Sequence, residues 1–187
     1  MLISKLIRPF IICIVTINLV FMGITAVPKS FSQDATDDEI KAALVFKFPV
    51  YVRWPDNVMN EKAAQFNLCT LGKGRLPVFL SHFDGEKIIG KVIRVKRIAN
   101  IEALEDCHLL FISSSENKNL PVILKAIEGK PILTIGDMKG FAQNGGVINF
   151  IRVQDSVHFE INPEAGKRMG LTISSKLLRI AKIVKGN

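Results

Sequence analysis

Apolar and polar positions change period several times along this chain, and each change predicts an element. Asp37-Asp38-Glu39 precede Ile40, Ala43, Leu44 and Phe48, a helical spacing with acids in the first turn and Thr36 as the expected cap. Pro49 stops or kinks that helix, and Pro55 after Trp54 marks a turn. Gln65 to Leu71 alternates in strand fashion and runs into Gly72-Lys73-Gly74, after which Leu76, Phe79 and Leu80 predict a short helix.

Ile88 to Ile98 reads as one further strand, and Cys107 to Ile112 as a continuous apolar run of the kind a sheet buries centrally, ended by Ser113-Ser114-Ser115. Leu120 to Ile127 predicts a helix with Pro121 in its first turn and Gly129 at its stop, and Pro131 to Ile135 a short buried strand. Asn144-Gly145-Gly146 turns into Val147 to Val153, and Gln154-Asp155 turns that run back as Ser156 to Ile161, an antiparallel hairpin. Pro163 opens a helix through Ala165 and Met169 that ends at Gly170. Ser174 or Ser175 then caps a last helix, Lys176 to Val184, with Leu177, Ile180, Ala181 and Val184 as its buried stripe. Together these elements predict an α/β fold: a single-domain layered sandwich whose mixed sheet has parallel strands first and the C-terminal hairpin last, flanked by helices.

The N-terminus has a different pattern. Lys5 and Arg8 precede the nearly unbroken apolar run Phe10 to Val27, and Ser30-Phe31-Ser32 offers small residues for cleavage. This predicts a signal peptide over 1–32, cut after Ser32, and an α/β domain over 33–187 exported to the periplasm. An uncleaved membrane anchor is the less favoured alternative, because Thr16 and Asn18 weaken the run. Cys13 lies inside that run, not after it, and reads as an apolar residue. Cys69 and Cys107 remain. An oxidising compartment favours their pairing, and the alternative is two buried free thiols.

Composition narrows the function classes. Of 25 Lys and Arg, three lie in the leader, which has no acid; the remaining 22 face 17 acids, a net of +5. That balance is ordinary for a soluble domain, and without interleaved aromatics or a reading helix it gives no reason to expect nucleic acid. The strongly basic stretch Lys87 to Arg97 alternates with apolar residues as a half-exposed strand does.

The search for chemistry finds little. Gly72-x-Gly74 after a strand lacks the third glycine and the later acid of a dinucleotide site, and reads as a turn. His82, His108 and His158 have no metal-ligand spacing, the serines have no nucleophile elbow, and Asp84, Asp106, Asp137 and Glu160 are dispersed. Neither an enzyme, a metal nor another cofactor is therefore expected. The glycine-rich connection Gly136, Asp137, Gly140, Phe141, Gly145 and Gly146 leaves the end of a buried strand and is the candidate ligand or partner loop. Its alternative is a wide turn that Phe141 anchors to the core.

Several segments then fall into a familiar order: Lys41-Ala42-Ala43-Leu44, Arg53-Trp54-Pro55, Leu68-Cys69-Thr70-Leu71-Gly72, Cys107-His108-Leu109-Leu110-Phe111-Ile112, Leu133-Thr134-Ile135-Gly136-Asp137, Phe159-Glu160-Ile161-Asn162 and Leu171-Thr172-Ile173-Ser174-Ser175. From about Ile40 to Val184 the chain resembles the YfiR-like periplasmic proteins, with Trp54, Pro55, Glu160, Asn162, Ser174 and Ser175 at motif positions. The resemblance implies a non-catalytic regulator that restrains the periplasmic sensor part of an inner-membrane diguanylate cyclase, or of another sensor protein, and is sequestered by an outer-membrane-linked lipoprotein. It also implies a Cys69–Cys107 disulfide. The family relative's second cysteine pair is absent, and Phe48-Pro49-Val50 departs from the usual residues before Trp-Pro. Homodimerisation is left open. The alternative function is a small-molecule-binding sensor module feeding a histidine kinase or other receptor, with the Gly136 to Gly146 loop and the Gly72 turn forming its cleft.

Overall fold

The computed structural model describes residues 30–59 and 64–186, with side chains from Asp37 onward. The chain divides into two compact units, Met1–Gln33 and Asp34–Asn187, and the architecture below is that of the second. Residues 1–29 of the expected leader lie outside the described residues, and the expected cleavage point after Ser32 falls on residues whose side chains are not described.

The elements run α1 (Ser30–Lys47), β1 (Val52–Arg53), β2 (Gln65–Leu71), α2 (Leu76–Ser81), β3 (Lys87–Ile88), β4 (Lys91–Ile98), β5 (Leu109–Ile112), α3 (Leu120–Ala126), β6 (Leu133–Gly136), β7 (Ile148–Val153), β8 (Ser156–Ile161), α4 (Pro163–Arg168), β9 (Thr172–Ile173), α5 (Ser175–Leu178) and β10 (Lys182–Ile183). Eight strands form one mixed sheet in the order β10-β8-β7-β6-β5-β2-β4-β3, and β1 pairs with β9 in a separate two-stranded antiparallel sheet. The α/β class, the parallel strands and the terminal hairpin are as the periodicity predicts. β5 and β6 are buried at every residue, as strands covered on both faces must be, which is why their sequences read as unbroken apolar runs. β7 and β8 pair antiparallel from Ile148↔Ile161 to Val153↔Ser156.

Four local expectations are corrected. α1 starts at Ser30, not after Thr36, so Asp37-Asp38-Glu39 lie inside the helix. Its buried apolar face is Ala42 and Val45, continued by Phe48 just beyond its end, while Ile40 is 44% exposed; the turn Asp37–Lys41 faces the protein through ion pairs instead. Ile88 to Ile98 is a hairpin, β3–β4, because Ile89 (φ 47°) and Gly90 (φ 77°) make a two-residue turn of the kind whose positive angles match strand twist.

The last helix is also shorter than its stripe suggests. Ser174 caps it as expected, accepting from Lys176 N–H, but it ends at Leu178. Leu177 is buried whereas Ile180 is 71% exposed. The β-branched tail instead adds β10 to the open edge of β8, with Lys182 opposite Glu160 and Val184 N–H donating to Ile161 O at 2.9 Å. An unpaired strand edge outweighs a weak helical preference once it is within reach. The pairing of β1 with β9 has no sequence signal, since each strand is two residues long.

Candidate functional site

Pro49 ends α1 and seats in a 3-10 turn, Phe48–Tyr51, with Phe48 and Pro49 buried. The chain emerges as β1, which β9 holds through Val52↔Ile173 and Arg53↔Thr172, with Ser174 N–H donating to Tyr51 O at 2.8 Å. Trp54 follows directly. It is 4% exposed, its ring edge-on to Phe66 at 5.5 Å, and Phe66 in turn stacks on His108 at 5.4 Å. Pro55 O accepts from Val58 and Met59, folding the next residues into a tight turn.

These contacts build the walls of a groove of about 930 Å³. Trp54, Ser174 and Ser175, distant in sequence, meet there because β1 pairs with β9. The hairpin tip Ile89-Gly90 and Lys91 also line it. Val50, Tyr51 and Ile89 are exposed apolar side chains among its lining. The Trp54 indole N–H is buried without an acceptor among the described residues.

A second feature follows from topology. The chain leaves β2 on one side toward β4 and returns to place β5 on the other, so the loops after β2 and β5 diverge. Crevices of this kind, at the carboxyl ends of parallel strands, are where doubly wound folds bind ligands. Here a cavity of about 320 Å³ is lined by Lys73, Gly74, Arg75, Ser113, Ser114 and Asp137, and the turn Asp37–Lys41 of α1 lies over it. Ser113 Oγ donates to Lys73 O, and Lys73 N–H donates to Ser115 Oγ at 2.8 Å, stitching the two loops together. Asp37 pairs with Arg152 at 2.8 Å, Asp38 with Arg75 at 3.7 Å, and Lys41 with Asp137 at 3.7 Å.

The glycine-rich loop is placed by one side chain. Phe141 is fully buried, and a Cβ on Gly136 or Gly146 would fall 2.6 Å or 2.1 Å from its ring, so both positions need glycine for close approach. Asp137 reaches the crevice, where Ser114 N–H donates to its Oδ1 at 3.1 Å. Gly140 and Asp137 line a separate hollow with Glu160, and Gly145 lies elsewhere beside Leu124. The six loop residues therefore do not converge on a single cavity. Glu160 is 3% exposed, accepts from Asn149 Nδ2 at 3.1 Å and pairs with Lys182 at 3.8 Å. Asn162 is a structural clamp: its Nδ2 donates to Ala142 O at 2.8 Å and its Oδ1 caps α4 through Ala165 N–H.

Cys69 on β2 and Cys107 before β5 are joined in a disulfide, their Cα atoms 5.8 Å apart. His108 follows at once. Its Nδ1 accepts the Asn67 backbone N–H at 2.9 Å, which fixes the neutral tautomer. Burial lowers its pKa from the usual 6.5; the Asp106 carboxylate opposes this, and Lys91 and Lys96 add to it. Among the described residues no group of three or more His, Cys, Asp or Glu could hold a metal ion, and no helix is long and apolar enough to cross a membrane.

The model of the YfiR/HmsC-like family matches residues 38–182. The chain belongs to the YfiR/HmsC-like family. Its match spans the groove and all of the crevice lining but Asp37, and it confirms the family expected from the sequence motifs. No curated protein matches this YfiR/HmsC-like chain. Among solved structures, an ABC domain in complex with L-Trp from Streptococcus pneumonia matches with a TM-score of 0.53 at 8% identity, over 79% of this chain and 60% of that one. The chain thus spans about 60% of that structure's length, and the likeness shows the fold alone.

Proposed function

We propose that this YfiR/HmsC-like protein is a non-catalytic periplasmic regulator that binds and restrains the periplasmic sensor part of an inner-membrane diguanylate cyclase. The observation that carries this reading is the family match over residues 38–182. The Cys69–Cys107 disulfide suits an exported protein. A protein outside the cytoplasm changes cytoplasmic output only by binding one state of a membrane sensor more tightly than the other, so repression requires preference for the inactive state. Capture of the tagged, exported protein from membranes, with cyclic di-GMP measured in cells with and without the gene, tests it. Recovery of a cyclase and a rise in cyclic di-GMP on deletion are expected; no cyclase and an unchanged level would refute it.

The crevice favours a second reading, a small-molecule sensor module feeding a histidine kinase or other receptor, because it lies where doubly wound folds bind ligands. A small metabolite that raises the thermal midpoint in a concentration-dependent way would support that reading.

A further inference from the structure

We infer that the hollow between the β7–β8 hairpin and the glycine-rich loop binds the primary ammonium group of a small amine, a role that does not rest on the regulatory reading above. The hollow has a volume of about 370 Å³ and is lined in part by Gln143 of the loop and by Asn149 and Glu160 of the hairpin. Strand alternation explains why the two hairpin residues share it. Asn149 and Glu160 are cross-strand partners, and their neighbours Phe150 and Phe159 point to the other face of the sheet, against Phe48. An amide and a carboxylate are thereby set side by side, 1% and 3% exposed, on the floor of a hollow and not in the apolar core. Gln143 is held by its flanks: Phe141 is fully buried, and Ala142 O accepts from Asn162 Nδ2 at 2.8 Å. The polar groups are thus fixed before any ligand arrives, which lowers the ordering cost of binding.

What these groups lack is donors. Asn149 Nδ2 donates to Glu160 Oε1 at 3.1 Å, while Asn149 Oδ1 is buried with no donor among the described residues. Gln143 Oε1 is likewise buried without a donor. The second Glu160 oxygen, Oε2, faces the Lys182 ammonium at 3.8 Å, beyond hydrogen-bond reach. Three acceptors are therefore unmet among the described residues, one of them on a buried carboxylate, and leaving such groups unmet is unfavourable. The other charged residues of the lining are engaged elsewhere or exposed: Arg152 pairs with Asp37 at 2.8 Å, Asp137 pairs with Lys41 at 3.7 Å and accepts from Ser114 N–H at 3.1 Å, and Lys139 is exposed.

A primary ammonium carries three donors and one positive charge, which matches three acceptors and one buried carboxylate. A calcium ion takes about six to eight oxygens and binds more tightly as their negative charge rises. Here one carboxylate and two amides are on offer, and the nearby Lys139, Arg152 and Lys182 oppose a second positive charge. A quaternary ammonium has the charge but no donor to give. Met138 and Ile151 belong to the same lining, so an aliphatic tail on the amine meets an apolar wall.

The purified exported protein is titrated at neutral pH with butylamine, and with butanol, tetramethylammonium and calcium for comparison, binding being read by ligand-observed NMR and by the thermal midpoint. Butylamine is expected to bind saturably with a dissociation constant of about 1 mM, and each of the other three about tenfold more weakly or worse. Gln143→Leu removes an acceptor that has no donor, so it should weaken butylamine about tenfold while leaving the midpoint of the free protein unchanged or raised. Glu160→Gln keeps the shape and removes the charge, and should weaken butylamine further. Equal binding of butanol and butylamine, or no saturable binding of the amine, would overturn the inference. So would calcium binding in place of the amine, or a Gln143→Leu protein that binds butylamine as wild type does. No amine binding by wild type together with a lower midpoint in Gln143→Leu would assign the hollow to a structural water instead. None of these outcomes bears on the capture of a cyclase from membranes, so failure here leaves the regulatory reading standing.

Discussion

Replacing Cys69 and Cys107 together by alanine removes the one covalent link across the sheet. The bond spans 38 residues, a stretch that includes α2, β3 and β4. Closing a loop of that length lowers the entropy of the unfolded chain enough to stabilise the native state by about 4 kcal/mol at 25 °C. Both cysteines are nearly fully buried, so losing their sulfurs also leaves a small void, which adds to the deficit. For a domain of this size the midpoint of thermal unfolding should fall by roughly 8 to 16 °C. Urea unfolding followed by Trp54 emission is the direct assay, since Trp54 packs on Phe66 of β2, the strand that carries Cys69. Without the link the unfolded chain expands, so the denaturant slope should rise while the midpoint falls. Wild type unfolded in reductant should lose most of the same stability. A loss below about 1 kcal/mol in the double variant would refute the loop-closure reasoning. A reduced wild type as stable as the oxidised protein would do the same, leaving packing as the cause.

Gly146→Ala should destabilise by about 3 kcal/mol, because its Cβ would lie 2.1 Å from the Phe141 ring, and Phe141→Leu in the same chain should restore part of that loss in a double-mutant cycle. Asp37→Asn should lower stability by about 2 kcal/mol in urea unfolding, since the carboxylate is 6% exposed and pairs with Arg152 at 2.8 Å. Lowering the pH should also weaken the fold. His108 has a depressed folded-state pKa, so below about 6.5 the unfolded chain binds the proton more readily and stability falls with pH. His108→Gln should flatten the urea midpoint's dependence on pH below about 6.5, and an unchanged slope would show that other groups carry it.

Local chemistry made much of this protein legible. Continuous apolar runs at Leu109–Ile112 and Leu133–Gly136 identified central strands because a strand buried on both faces has no polar row to display. The Gln154-Asp155 turn and the cap at Ser174 are set by residues within a few positions of one another, so their signals survive in one dimension. The expectation of an exported chain favoured pairing Cys69 with Cys107 over two free thiols, and the two are joined.

Other features depended on which surfaces met. Asp37 and Asp38 look like N-terminal helix acids, yet they lie within α1 and pair with Arg152 and Arg75. The C-terminal residues after Leu178 follow the open edge of β8 and not their helical spacing. The groove is the plainest case. Trp54 and Ser174 are 120 positions apart (174 − 54) and share a wall only because two-residue strands pair, a contact whose stability comes from the surrounding core. Sequence alone thus determined the class of fold and the order of the central strands along the chain, and favoured Cys69 and Cys107 as a pair, since each rests on local period or on residue type. Tertiary structure decided where the helix acids point, how the chain ends and where the groove lies, because long-range pairing energies exceed the weak local preferences at those positions.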